Sequence, residues 1–506
     1  MLESMVYKER IRIKQNPWRV DPRDERSFYK NIQQQLIDFS GTKNGKQRAA
    51  QEKILESVIS RYVNEMSGYF NRSYYRVARG VVTMIFARLL NAARIKGPMS
   101  FFSRQLDLDD QIHILGEPER LRKLAKKGTV ILVPTHFSNL DSILIAWIIQ
   151  HLGLPPFIYG AGLNLFNIKI FAYFMNSLGA YKVDRRKKNL LYLETLKTYS
   201  TLALKRGCHS LFFPGGTRSR SGKIEEKLKL GLLGTAVEAQ RYNFQNPGEK
   251  AAQKIFIVPV VINYHFVLEA PILINDYLRS KGHERYYVEN DEYSSSLKIA
   301  KFLIEFFTRG SDISVTIGKG MDVIGNYVDD DGNSLDQAGN IVDTCDYFIA
   351  DGKVTEDKQR EQQYTRILAD QIVEEFHKNS CVFASHLTAF IAFEMIRKMN
   401  KKLDLFETLR LLEEDIAIPY ELFKQNFENL RKRIYEMSIK GLLKYADHLE
   451  GDADAVIHFG IKNVGMYHTH KPLGKNKKGD IITHDLNKLY YYHNRLDRYD
   501  LEKYIG

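Results

Sequence analysis

Three textures of hydrophobic and polar positions follow one another along the chain. From residue 1 to about 105, apolar residues recur at helical spacing in stretches such as RSFYKNIQQQLIDF and QRAAQEKILESVISRYVNEMSGYF, with few turn residues between them. From 106 to 320 the pattern shifts to short runs that are apolar at every position, TVILVP, HSLFFP and IFIVPVVI, separated by helical stretches. Runs of that kind are strands buried on both faces. The middle region is therefore predicted to be α/β, a mostly parallel sheet covered by helices. Pro259 falls inside the third run, and a residue with no N–H to give to a ladder places that strand at an edge or at a bulge. From 321 to 506 a turn-rich stretch, MDVIGNYVDDDGNSLDQAGNIVD, leads into further helical segments. The predicted organisation is a helical N-terminal region (1–105), an α/β domain (106–320), and a turn-rich then helical C-terminal region (321–506).

Composition narrows the partners. The 506 residues are 44% hydrophobic and 27% charged, which supports an ordinary globular core and excludes a disordered or collagen-like chain. Lys and Arg number 74 against 61 Asp and Glu, a formal charge of +13, so an anionic partner is expected: nucleic acid, anionic lipid or a phosphorylated small substrate. No RNA- or DNA-binding motif accompanies the bases, which removes nucleic acid. Cys208, Cys345 and Cys381 are widely spaced with no CxxC, so neither a disulfide framework nor a zinc site is expected, and a reducing compartment fits. The stretch MLESMVYKERIRIKQNPWRV lacks the apolar core of a secretory signal, which points to the cytoplasmic side.

Two segments bear on membranes. Between Asp141 and Lys169 there is no charged residue, but Gln150, His151, Gly153, Pro155 and Pro156 cut the run into a buried helix, a turn and a further apolar segment rather than a membrane span. Between Met66 and Leu106 there is no acidic residue, while Arg72, Arg76, Arg79, Arg88, Arg94, Lys96 and Arg104 alternate with Tyr69, Phe70, Val81, Ile85 and Phe86. That pattern resembles a basic amphipathic helix lying on anionic headgroups, and equally a solvated basic face packed on the middle domain. Peripheral attachment to a membrane is the resulting expectation. In DDDGNSLDQAGN, counting Asp329 as position one puts Gly332 at position four rather than six, so the stretch is a hairpin turn at Asp331-Gly332 and not a calcium loop.

Three constellations carry chemistry. In TVILVPTHFSNLDSILIAWII a buried strand delivers His136, and a helix begins around Asn139 to Asp141. On one continuous helix the two side chains of His136-x4-Asp141 would point about 140° apart, so a strand-to-helix turn is needed to bring them together. A neutral imidazole held by a carboxylate is a general base. Asp141 also has a structural reading, as a carboxylate in the first turn of the helix. No GxSxG elbow surrounds any serine, so the nucleophile is expected to be a substrate hydroxyl. The second constellation, SLFFPGGTRSRSGK, ends a strand in a glycine turn rich in base: Gly215 and Gly216 open the backbone to a ligand, Thr217, Arg218, Ser219 and Arg220 follow, and the spacing is not that of a P-loop. The third, GAYKVDRRKKN, sets Arg185, Arg186, Lys187 and Lys188 in succession, a pattern that on its own is more often a solvated face.

Order and spacing of these constellations resemble the glycerolipid acyltransferase superfamily, and within it the glycerol-3-phosphate branch. His136-x4-Asp141 looks like the first family block, Gly179 to Arg185 the second, Phe213 to Arg220 the third and Val258-Pro259-Val260 the fourth, covering residues 128 to 270. Arg218 to Gly222 and Tyr264 to Glu269 look more like the glycerol-3-phosphate branch than the lysophosphatidate branch, and YYYHNR at Tyr490 to Arg495 resembles its C-terminal region. Two departures stand out. The third block of the family carries Glu where this chain has Gly215, and Asp184-Arg185 is nearer the lysophosphatidate pattern.

The resemblance implies transfer of a fatty acyl group from coenzyme A or acyl carrier protein to the sn-1 hydroxyl of glycerol 3-phosphate, in phospholipid biosynthesis, without metal or cofactor. His136 and Asp141 would be catalytic. Arg185, Arg186, Lys187, Lys188 and the loop from Gly215 to Arg220 would bind substrate, with Arg185 and Arg218 on the acceptor phosphate. The departures leave two alternatives, acylation at sn-2 of 1-acylglycerol 3-phosphate, and a degenerate protein that binds lipid or acyl carrier without turnover.

Overall fold

The computed structural model describes residues 1–18, 20–39, 44–68, 112–163, 179–248, 253–282, 312–412 and 416–506. The basic stretch from Arg72 to Arg104 and the end of the apolar stretch, 164–168, lie outside them. The elements from the N-terminus are α1 (Leu2–Gln15), α2 (Glu25–Phe39), α3 (Asn44–Met66), β1 (Ile112–Gly116), α4 (Pro118–Lys127), β2 (Thr129–Pro134), α5 (Leu140–His151), β3 (Ile158–Gly162), β4 (Ala180–Val183), α6 (Leu190–Lys205), β5 (Ser210–Leu211), α7 (Leu230–Gln245), β6 (Ile255–Tyr264), α8 (Ala270–Gly282) and β7 (Ile313–Ile317).

The seven strands form one sheet in the order β1-β7-β6-β2-β5-β3-β4. Every pair is parallel except β6 with β7, so the mostly parallel sheet expected from the all-apolar runs is present. β2 and β6 are buried along their whole length and pair from Thr129 opposite Ile255 to Pro134 opposite Val260, which is why their sequences show no alternation. Local chemistry sets the helix starts. α4 opens on Pro118 with Glu119 in its first turn and ends in Lys126 and Lys127, as the helix dipole favours. α6 is capped by Asn189, whose side chain accepts the N–H of Tyr192.

Pro259 occupies a central strand. Val260 pairs with Ile317 while Ile257 pairs with Met321, so three steps on β6 face four on the partner chain. That extra residue is a bulge, and the side of Pro259 that lacks an N–H faces it, while its carbonyl accepts the N–H of Gly318 at 2.8 Å. Of the two places the sequence allowed for the proline, the structure uses the bulge.

Beyond the sheet, β8 (Tyr327–Val328), β9 (Ser334–Leu335) and β10 (Ile341–Val342) form a small antiparallel meander. Its turns use one device. Asp329 and Asp336 each accept backbone N–H groups of the following turn and the side-chain amide of an Asn four residues on, Asn333 and Asn340. The hairpin expected at Asp331-Gly332 is the first of them. Four longer helices follow: α9 (Lys358–Lys378), α10 (Ala384–Met399), α11 (Tyr420–Ile439) and α12 (Ala453–Asn463), and then α13 (Leu486–His493). α10 is buried from Ala384 to Ile396, and one continuous hydrophobic cluster joins it to the sheet. A second cluster gathers Met5, Tyr29, Val58 and Tyr62 of α1–α3 against Tyr181, Leu191 and Tyr192. Among the described residues no helix is long and apolar enough to cross a membrane.

Candidate active site

His136 follows β2 directly and meets Asp141 of α5 across the turn that the spacing required, with His136 Nδ1 2.9 Å from Asp141 Oδ2. Asp141 has no solvent exposure and accepts three further hydrogen bonds: from the N–H of Phe137 (2.7 Å) and of Ser138 (2.9 Å) at Oδ2, and from the hydroxyl of Tyr264 (2.6 Å) at Oδ1. A carboxylate only accepts, so Nδ1 carries the proton of the neutral ring and Nε2 keeps its lone pair. Asp141 does lie in the first turn of α5, but the N–H groups it accepts precede the helix, so its contacts are those of the turn that carries His136. His136 is 7% exposed, and its ring stacks on Phe213 with centroids 4.0 Å apart.

The glycine turn wraps the histidine from the other side. Gly216 has φ +78°, a left-handed conformation that favours glycine, and the N–H of Ser219 donates to the carbonyl of His136 at 2.7 Å. Arg218 is half-buried and donates from Nη1 to Glu269 Oε1 at 3.0 Å, so part of its charge is met within the fold. The same Glu269 accepts from Ser138 Oγ and from the N–H of Asn139, tying the start of α5 to the end of β6. Arg185 is exposed, and the desolvation of its guanidinium together with the like charge of Arg218 draws its pKa below the usual value. Arg185 and Arg218 thus lie near enough for their like charges to act on each other, and Arg218 stands next to Ser219, whose N–H holds the His136 carbonyl. Thr217 and Arg220 are exposed on the same loop, and Lys188 is exposed after β4.

Arg186 and Lys187 turn the other way. Arg186 pairs with Asp184 and Asp21, donates to the carbonyl of Asn16 and stacks on Trp18 at 4.0 Å; these ion pairs outweigh burial and raise its pKa. Lys187, 3% exposed, pairs with Glu65 and with Glu25. The run of four bases is thus divided by its surroundings: Arg185 and Lys188 face outward, while Arg186 and Lys187 fasten α1–α3 to the sheet.

Three further groups were given no role by the sequence, although Tyr264 and Arg495 lie in stretches that resemble the family. Tyr264 ends β6 and steadies Asp141. Glu225 accepts the N–H of His136 at 2.8 Å from a loop with no recognisable pattern. Arg495, within the YYYHNR stretch, is 5% exposed and lies over the ring of Phe137 at 3.4 Å from its centroid. That stretch also holds the second constellation's loop: Asn494 Nδ2 donates to the carbonyl of Ser221, and a Cβ on Gly222 would fall 2.1 Å from the carbonyl oxygen of Tyr491.

Along α5, a crevice of about 20 Å³ lined by Ser142, Ala146, Ile149, Phe157 and Tyr159 opens on the apolar stretch; as packed it has room for little more than a water. Among the described residues, His265, Asp312 and His448 place ligating atoms within 4.8 Å of one another, but His448 Nε2 already accepts the N–H of Ala384 at the start of α10.

Residues 117–263 match the acyltransferase family. Glycerol-3-phosphate acyltransferase of Pseudoalteromonas translucida is 29% identical over 250 residues, 49% of this chain and 26% of that protein. The protein of the same name from Actinobacillus pleuropneumoniae is 27% identical over 250 residues, 49% of this chain and 27% of that protein. That of Glaesserella parasuis is 35% identical over 153 residues, 30% of this chain and 18% of that protein. The chain spans about a quarter of the length of the first two. On the His-x4-Asp turn, the glycine loop and these matches, residues 117–263 resemble the acyltransferase domain found in these glycerol-3-phosphate acyltransferases.

Proposed function

We propose that this chain transfers a fatty acyl group from a thioester, on coenzyme A or acyl carrier protein, to the sn-1 hydroxyl of glycerol 3-phosphate. The observation that carries the reading is the 2.9 Å contact between His136 and Asp141, which leaves Nε2 as the basic nitrogen. His136 Nε2 takes the proton of the acceptor hydroxyl as that oxygen attacks the thioester carbonyl. The tetrahedral intermediate collapses with cleavage of the C–S bond, and the imidazolium returns the proton to the departing thiolate. Asp141 holds the tautomer and stabilises the imidazolium. Arg185 and Arg218 hold the acceptor phosphate, Arg220 and Lys188 add field from the rim, and the exposed Thr217 completes the loop. No step calls for a metal or cofactor.

We also read the chain as three parts, 1–105, 106–320 and 321–506, with the basic stretch after residue 68 as its contact with an anionic membrane. The test is purified protein with a labelled acyl thioester and glycerol 3-phosphate, the product's acylated position read by mass spectrometry. An sn-1 ester is expected; an sn-2 ester formed only on 1-acylglycerol 3-phosphate selects the other acceptor, and saturable binding without product selects the non-catalytic reading. That last reading draws on Gly215, yet a carboxylate occupies the space beside it.

A further inference from the structure

A Cβ on Gly215 would lie 2.9 Å from Glu225 Cγ and 3.1 Å from its Oε1. The volume that a side chain at 215 needs is filled by the side chain of Glu225. The Glu225 residue is partly exposed as a whole, but its Oε2 is buried and has no hydrogen-bond partner, while Oε1 accepts the N–H of His136. Burial raises its carboxyl to about 7; the N–H of His136 and the charge of Arg495 act against the rise, and the like charge of Asp141 adds to it. Accepting one peptide N–H takes only a neutral oxygen, and a half-satisfied buried carboxyl is a costly way to do it. Its position gives a reason. The N–H of His136 is held by Glu225 and its carbonyl by Ser219, so both peptide groups flanking the ring's Cα are fixed by the loop that carries Arg218.

We propose that Glu225 is a positioning residue that clamps the His136 peptide to the glycine turn, and that residue 215 is glycine because Glu225 delivers its carboxylate into that space. The carboxylate expected on the third block is thereby supplied from further along the chain. The proposal rests on His136 being the base, and it concerns alignment of the ring rather than contact with substrate.

The experiment compares Glu225→Ala, Glu225→Gln, Gly215→Glu and the double variant Gly215→Glu/Glu225→Ala in the full chain. It measures kcat, KM for glycerol 3-phosphate, melting temperature, and amide hydrogen exchange in the peptide around His136. Misalignment predicts a loss of about 10²-fold in kcat for Glu225→Ala with KM little changed. Glu225→Gln keeps an acceptor oxygen and most of the rate. Gly215→Glu alone loses activity by collision, and the double variant recovers it. A Glu225→Ala protein with wild-type kcat, or a folded double variant no better than either single one, overturns the proposal. If the wild-type chain transfers no acyl group, the functional reading fails by itself, and exchange then decides the clamp: faster exchange at His136 in Glu225→Ala, slowed again in the double variant, supports it, and unchanged exchange overturns it.

Discussion

Asp141 collects four donors on two oxygens, and this saturation is what gives the histidine its chemistry. With Phe137, Ser138 and Tyr264 fixing the carboxylate in place, the imidazole has one orientation and one tautomer open to it. Asp141→Asn presents an amide that must turn an N–H toward one of those donors, so the ring is free to adopt the wrong tautomer. The expected loss in kcat is of order 10³- to 10⁴-fold with the melting temperature nearly kept, and a steady-state assay beside a thermal melt checks both. Arg218→Ala is expected to act differently. It removes a grip on the acceptor phosphate, raises KM for glycerol 3-phosphate more than it lowers kcat, and leaves Glu269 with its bonds to Ser138 and Asn139.

Glu225 also sets a pH dependence. Its native carboxyl is raised from 4.5 to about 7 by burial, so between those values the folded state keeps a proton that the unfolded chain has released. Stability from this group is therefore full at low pH and is lost as pH rises through that window. Glu225→Gln lacks the proton exchange, and its melting temperature should gain on that of wild type from pH 4.5 to about 7 and run parallel above it. Equal pH slopes for the two proteins would refute this.

At the scale of elements, the third and second sequence blocks owe their shape to contacts far along the chain. The loop of the second constellation closes against α13: Gly222, at φ +84°, leaves room for the carbonyl of Tyr491 that any side chain would strike. Gly222→Ala forces both a left-handed alanine and a backbone clash. A destabilisation of several kcal/mol is expected by the measure of such backbone effects, about 1–3 kcal/mol for the strain alone, and urea unfolding reads it. The second block has the same dependence on α1–α3. Arg186→Ala leaves Asp21 and Asp184 without their shared cation and strips Trp18 of its partner, so the N-terminal helices should become sensitive to protease while turnover, per folded molecule, changes little. Sequence alone showed a run of four bases, in which side chains one apart look alike. Their burial told them apart.

Across the whole molecule, the C-terminal helices are part of the site's support. His386 of α10 bonds the carbonyl of Tyr264, and the hydroxyl of that tyrosine reaches Asp141, so three bonds lead from α10 to His136. His386 is held neutral by burial, its pKa down at about 3, and His377 and His448 are likewise depressed to about 4. His265 and His468, fully buried, are depressed as well. In the unfolded chain these rings take up protons near pH 6.5, in the fold only far below it; stability is thus full above 6.5 and lost on acidification toward about 4. Five histidines outweigh the opposite slope of Glu225. The urea midpoint should fall between pH 7 and pH 5, and an unchanged midpoint would show that the rings are not protected.

The sequence by itself determined the parts whose causes are local. An all-apolar run is a strand buried on both faces, and β2 and β6 are such strands; His136 and Asp141 stand five residues apart around one turn, so their meeting needed only that the turn form. The missing N–H of Pro259 left an edge or a bulge open, and the fold took the bulge. Only the tertiary structure decided which bases stay exposed and which fasten α1–α3, that Glu225 fills the space beside Gly215, and that Arg495 lies against Phe137. The reason is physical: the value of a charge is set by its desolvation and by the partner that meets it, and both come from residues brought together by burial rather than by adjacency.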